Sequence, residues 1–534
     1  MKIARPELKN FFLLLLACMC CATGCTQQSN DAAADTVLIN GKILTVDADF
    51  AIAEAIAIRN ERIVAVGSNA SVDQFVGAAT DVIDLRNATV IPGLIDNHFH
   101  FRRAVQRWHL QARLDGINSR RLALRTIADK ATSMDAGEWL MIQGGWYEEQ
   151  FADRPGGFTL QELDTAAPRN PLFVQLRYGT VYANSLALQA VGLSPADGAR
   201  RSAQGLATFQ PPYGRLVQQI PPTSDAQLAT NLSDYMHQLN RSGLTAVYAL
   251  GREAEGDSSV LQRRAASGPL PLRIWHTLTY EAPDAAGADA AVDLIHSSTP
   301  NTFDSDFGLY GLGEHIYLPF FDFPSVTSSW DPDILSELMK IATAAAEGGW
   351  HIHEHTMSDI SVGDLLERFE TLNESVPMTA LRWTLAHVYD ITPTSIARAK
   401  ALGMTLAVHG AAMHSAAPIP FRDIQDSGIV FGLGTDATVV SHYQPFITLG
   451  WAVSGQDLAG RQVLEQTLSR EEALIAHTRS NAYMFMQEAH LGSLETGKLA
   501  DLVVLDRDYM DIDPNEIMSI QPVMTMVGGR IVFN

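Results

Sequence analysis

The stretch Val90-Ile91-Pro92-Gly93-Leu94-Ile95-Asp96-Asn97-His98-Phe99-His100 ends an apolar run with two histidines one residue apart. The run is aliphatic and short, the pattern of a buried strand. Along an extended strand, positions i and i+2 face the same side, so His98 and His100 aim their rings into one space. Two hydrogen-bonded histidines at a strand end fit this spacing, and so do two metal ligands. What the rest of the chain brings to the same place decides between them.

Upstream of this run, residues 35–89 read as short strands (TVLING, KILTV, AIAI, RIVAVG, DVIDL) separated by turn residues. The C-terminus repeats the style in LGSLETGKLADLVVLDRD and PVMTMVGGRIVFN. Two β-rich ends around a long middle predict one composite β-sandwich built from 35–92 plus 488–534. Between them, apolar runs such as LTAVYAL, GLYGLGEHIYL, GWHIHEH, RWTLAHV, MTLAVHG and IVFGLGTD alternate with helical stretches such as DPDILSELMKIATAAAEGG. Alternation of this length predicts an α/β fold, a (β/α)8 TIM barrel over 93–487. A long excursion, about 106–219, is expected to be a helical and loop insertion over the barrel mouth.

The N-terminus reads separately. Lys2, Arg5 and Lys9 precede FFLLLLACMCCA, which is too short to span a bilayer as a mature helix but suits a signal peptide. It ends in Ala22-Thr23-Gly24-Cys25, so residues 1–25 are expected to be a signal peptide with a lipobox-like end. Lipidated Cys25 would then attach the protein to a membrane, as a periplasmic or outer-membrane-associated lipoprotein of a Gram-negative bacterium. The alternative is a plain secretory signal cut a few residues away. All four cysteines (Cys18, Cys20, Cys21, Cys25) lie in this segment, leaving the remainder without disulfides. With 534 residues, 46% hydrophobic, the chain can bury a large core, and its formal charge of −22 argues against nucleic acid as a partner. A small-molecule substrate is the partner expected. Oligomeric state leaves no trace in the sequence.

Polar residues gather at the ends of the predicted barrel strands, where such barrels carry their chemistry. His98 and His100 close the first. Glu314 and His315 fall in GLGEHIYL. His351, His353 and His355 alternate in GWHIHEHTMSD, His387 ends RWTLAHV, and Asp436 ends IVFGLGTD. Alone, His387 fits a core histidine and Asp436 a helix N-cap. Together they form the imidazole and carboxylate set that binds Zn2+ and related dications.

VIPGLIDNHFH, the later histidine and G-T-D stations, and LGSLETGKLADLVVLDRD resemble the metal-dependent amidohydrolase superfamily. GGWYEEQF, TLQELDTAAPRNPLFVQLR…ANSLAL and GLTAV resemble its amidohydrolase-3 branch, which includes N-substituted formamide deformylases. That resemblance implies hydrolysis of a C–N bond with one or two divalent ions, expected to be Zn2+. It implies His98, His100, His355, His387 and Asp436 as metal ligands, with Asp436 also the catalytic base and acid. Many relatives carry a carbamylated lysine on the fourth strand. Here Glu314 is expected to bridge two ions instead, since Lys340 is the only lysine between residues 131 and 399 and reads as mid-helix. His315 is expected to pack on the far side of its strand, and His351 and His353 to sit deeper than the ligands. Gly179 stands where relatives often have histidine and His409 where they often have proline. These two, with Trp146 and Tyr147, are the candidate substrate-pocket residues. No G-x-S-x-G elbow or phosphate loop competes. A deaminase or a lactone or carbamate hydrolase on the same scaffold, and a metal- or ligand-binding surface lipoprotein without turnover, are the rival readings.

Overall fold

The structure, a computed structural model, describes residues 33–178, 180–194, 212–250, 255–278, 282–300, 306–323 and 325–534. Eight strands form one parallel sheet: β1 (Leu94–Phe99), β2 (Leu244–Ala249), β3 (Arg273–Leu278), β4 (Phe307–Glu314), β5 (His351–Thr356), β6 (Thr384–His387), β7 (Thr405–His409) and β8 (Phe431–Gly434). They lie in chain order, and each pairs in parallel with the next. β8 returns to β1 through two bonds at the rim. Asp436 N donates to His98 O (3.0 Å) and His100 N donates to Ala437 O (2.8 Å). The barrel therefore closes at the two places that carry predicted site residues.

Helices pack outside this barrel. Pro332–Glu347 shows how the sequence sets one. Asp331 caps it by accepting from Asp333 N, Pro332 sits in the first turn, and Leu335, Leu338, Ile341, Ala342 and Ala345 turn inward at helical spacing. Lys340 lies on the outer side of this helix, in ion pairs with Glu337 and Asp289, away from the barrel interior.

Two further sheets lie beside the barrel, a four-stranded one of N-terminal strands alone and a six-stranded one shared by both termini. Leu502–Leu505 pairs antiparallel with Thr89–Pro92, the strand that runs directly into β1. Leu38, Ile56 and Ile58 from one sheet meet Ile43, Val90, Leu502, Val504 and Met526 from the other in a common core.

The insertion departs from expectation. Rather than helix and loop alone, it contains a three-stranded sheet: Leu140–Gln143 parallel to Leu172–Leu176, which pairs antiparallel with Thr180–Ala183. It has its own apolar core, centred on Leu114, Ile127, Ile142, Phe151, Phe173 and Val174. Short apolar runs such as LMIQ carry no period that separates strand from helix. The subdomain reaches the barrel mouth: Gly145 N donates to Val439 O (3.2 Å) and Arg113 to Thr438 O (3.2 Å). At Gly144 (φ +65°), an added Cβ would stand 1.8 Å from Val439 O, so glycine is required for this approach.

Candidate metal centre

Six side chains from five strand ends converge at the mouth. Glu314, at the end of β4, is the hub. Its Oε1 lies 2.6 Å from His355 Nδ1 and 3.2 Å from His387 Nε2, and its Oε2 lies 3.5 Å from His100 Nε2. Asp436 Oδ1 stands on the other side, 3.1 Å from His100 Nε2 and 3.8 Å from His98 Nε2. All are buried. Nitrogen and oxygen ligands about 2.0–2.2 Å from a tetrahedral cation stand about 3.3 Å apart, and these spacings bracket that value. His98 Nε2 supplies an independent sign. It is fully buried and has no hydrogen-bond partner, yet sits 3.6 Å from Glu314 Oε1. That gap is too wide for a hydrogen bond and right for a cation between the two atoms. The donor set fits a metal.

Backbone conformation aims these groups. Asp436 (φ 62°) and His387 (φ 74°) both adopt the left-handed region, which costs a non-glycine residue about 1–3 kcal/mol and clusters at functional sites. Asp96 anchors the β8 end by accepting from Thr435 N, Thr435 Oγ1 (2.7 Å) and His98 N (3.1 Å). A Cβ on Gly434 would lie 2.3 Å from Asn97 Oδ1, so β8 can come this close to β1 only as glycine.

Charge follows the geometry. Burial opposes ionisation of Glu314, but the His315 and His98 imidazoles and the bonds to His355 and His387 outweigh it and hold the carboxyl well below its usual range. Burial and the neighbouring His355 push His387 down to about 4, leaving its ring neutral and able to ligate. For His355 burial also works against the charged form, but Glu314 prevails and raises it. An anionic carboxylate among imidazoles is the complement of a dication.

Several residues fall differently from expectation. His315 does not pack away from the centre. It lies just past the end of β4, where strand alternation no longer holds, with its ring 4.7 Å from that of His355 and Nε2 3.9 Å from Glu314 Oε1. Trp146 is a core residue of the insertion. It is wholly buried beside Phe151, Phe158 and Tyr182, and its indole donates to Gln175 O (2.9 Å). Tyr147 lines a mouth cavity of about 600 Å³ with Arg177, Met413, His414 and Arg461. His409 sits behind the centre rather than at its rim, 3.0 Å from His387 through facing Nδ1 atoms. Gly179 and Cys25 lie outside the described residues. Asp322 was not foreseen: its backbone oxygen accepts from His355 Nε2 (3.0 Å), and its carboxylate accepts from Met357 N and Ser358 N. It sits in a loop with no periodic pattern that could have marked it.

A closed parallel barrel with buried imidazoles and carboxylates at its C-terminal mouth defines a metal-dependent hydrolase of the TIM-barrel class. A family model described as the amidohydrolase family, the amidohydrolase-3 branch, matches residues 81–533, and the chain belongs to that family, whose members act on C–N bonds. It is 24% identical to N-substituted formamide deformylase of Arthrobacter pascens, over 93% of this chain and 97% of that protein. It is 25% identical to the LONG AFTER FAR-RED 3 protein of Arabidopsis thaliana, over 94% and 92%. An uncharacterized metal-dependent hydrolase from Pyrococcus furiosus shares the fold with a TM-score of 0.60 at 18% identity, over 89% of this chain and 100% of that one. A mutant atrazine chlorohydrolase from Arthrobacter aurescens, complexed with zinc and atraton, superposes with a TM-score of 0.55 at 17% identity, over 93% and 95%.

Proposed function

We propose that this enzyme hydrolyses the C–N bond of a small amide, formamide or cyclic amide, with Glu314 bridging two divalent ions and Asp436 as base and acid. The observation that carries this reading is the reach of the Glu314 carboxylate. Oε1 meets His355 and His387 and lies 3.6 Å from His98 Nε2, while Oε2 faces His100, so the carboxylate stands between two histidine pairs. His98, His100 and Asp436 would hold one ion; His355 and His387 would hold the other. Zinc is the ion this donor set suits best. Such ions supply Lewis acidity, polarising a carbonyl and easing deprotonation of water.

The protein's own groups do the remainder. Asp436 Oδ1, beside His98 and His100, accepts a proton from the attacking water, and the resulting acid returns it to the departing nitrogen. Glu314 stays ionised throughout, held by the imidazoles around it. Insertion and barrel loops together line a neighbouring cavity, where the Tyr147 and His414 rings meet at 4.3 Å in a tilted contact. In the same reading the mature chain begins at lipidated Cys25 and works on the periplasmic side of a membrane.

Zinc-loaded protein assayed against N-acyl, formamide, cyclic-imide, lactone and aminopurine compounds tests this function. Turnover of an amide, formamide or cyclic amide that stops when the metal is chelated is the result expected. Turnover confined to the lactones or to loss of an exocyclic amine would overturn the substrate class, and metal binding with no turnover of any compound would overturn the enzymatic reading.

A further inference from the structure

Two inner histidines each have a second ring nitrogen that meets another imidazole, although that of His387 also stands 3.9 Å from Asp436 Oδ2. His98 Nδ1 lies 3.0 Å from His353 Nε2, and His387 Nδ1 lies 3.0 Å from His409 Nδ1. Only one hydrogen fits between two nitrogens at that distance, so within each pair one ring donates and the other accepts. A neutral histidine that offers Nε2 to a cation carries its proton on Nδ1. On the two-ion reading above, His98 and His387 are therefore the donors, and His353 and His409 the acceptors.

Ligating histidines ordinarily give that proton to a carboxylate, a backbone carbonyl or water. His100 does so here, with Nδ1 3.1 Å from Leu250 O. His98 and His387 instead meet buried imidazoles. We propose that His353 and His409 are positioning residues, a second layer of imidazoles in which each ring accepts the Nδ1 proton of one inner ligand and fixes its tautomer and ring plane.

The packing supports this role. His409 ends β7, against β6, and its ring contacts both inner ligands: 4.2 Å from His98 between centroids, and 4.6 Å from His387 at 90°. His353 shares its strand face with His355, one pair step deeper, so β5 supplies an inner ligand to one side of the centre and an acceptor to the other. The scheme places the remaining protons on His353 Nδ1 and His409 Nε2, both buried without a hydrogen-bond partner.

The test is a zinc titration of the full chain against a competing chelator, reading the affinity of each site and the number of ions bound at saturation. His353→Phe and His409→Phe keep a ring but lose the acceptor; His353→Gln and His409→Gln restore an acceptor oxygen. Melting of the metal-free variants at the wild-type temperature shows that they fold, and a Leu variant replaces any Phe variant that does not. Each Phe variant is expected to weaken one site by about 10–100-fold with unchanged stoichiometry, and each Gln variant to recover most of that loss. Unchanged affinity in a Phe variant overturns the role of that residue. A lost ion at saturation that Gln does not restore would make the residue a ligand and also overturn the proposal. If wild type binds a single zinc, the two-ion reading fails by itself, and the second layer stands only if one of the two Phe variants still weakens that site.

Discussion

Asp436 occupies a backbone conformation that few side chains tolerate, two residues after Gly434, with its carboxylate turned toward His98 and His100. Asp436→Asn preserves shape and one ligand oxygen but cannot accept a proton. It is expected to retain most of its metal, by elemental analysis, while turnover falls about 10²–10⁴-fold; unchanged turnover would place the base elsewhere. Glu314 makes a different demand. Its carboxylate is already anionic and two-pronged, and Lys340, the lysine nearest in sequence, faces outward on a helix. Reconstitution with metal should therefore give the same activity with and without added bicarbonate, and a bicarbonate requirement would point to a carbamate. Strand alternation and strand-end position gathered His98, His100, Glu314, His355, His387 and Asp436 with His315, His351 and His353, and the resemblance to the amidohydrolase family singled out the six. His315 was misjudged because it lies one residue beyond the strand, where alternation stops predicting direction. Trp146 was left open between pocket wall and packed loop aromatic, because an aromatic after two glycines reads the same in either place, and the structure puts it in the insertion core.

At the scale of elements, the rim between β8 and β1 holds the centre together. Asp96 accepts from three donors there, two on Thr435 and one on His98, and all of these groups are buried. Asp96→Ala leaves those donors unpaired and should cost about 2–3 kcal/mol of stability, read by urea denaturation of the metal-free protein. A change below 0.5 kcal/mol, about what a substitution at an exposed surface costs, would show that the rim does not depend on this carboxylate. The barrel strands were legible because long apolar runs alternate with amphipathic helices. The insertion's sheet was not, because its strands are four or five residues long and the parallel pairing of Leu140–Gln143 with Leu172–Leu176 reaches across an intervening helix.

Across the whole molecule, Arg273 on β3 joins the barrel to the C-terminal strands. Its guanidinium makes a two-pronged bond to Asp501 (2.8 and 2.9 Å), and Asp501 also accepts from Gly528 N (2.7 Å). Both side chains are buried, so removing one partner strands a charge. Arg273→Met is expected to cost about 3–5 kcal/mol, and the double variant Arg273→Met with Asp501→Leu to regain part of it; additive losses in chemical denaturation would contradict the coupling. Location is tested by labelled palmitate, expected to enter the wild type and not Cys25→Ser, and equal labelling would remove the lipid anchor. The most direct test of the account is metal counting on purified protein. Wild type is expected to bind two divalent ions per chain and Glu314→Gln fewer, because a neutral amide bridges two dications poorly. A stoichiometry of one in the wild type, unchanged in Glu314→Gln, would contradict the bridged centre.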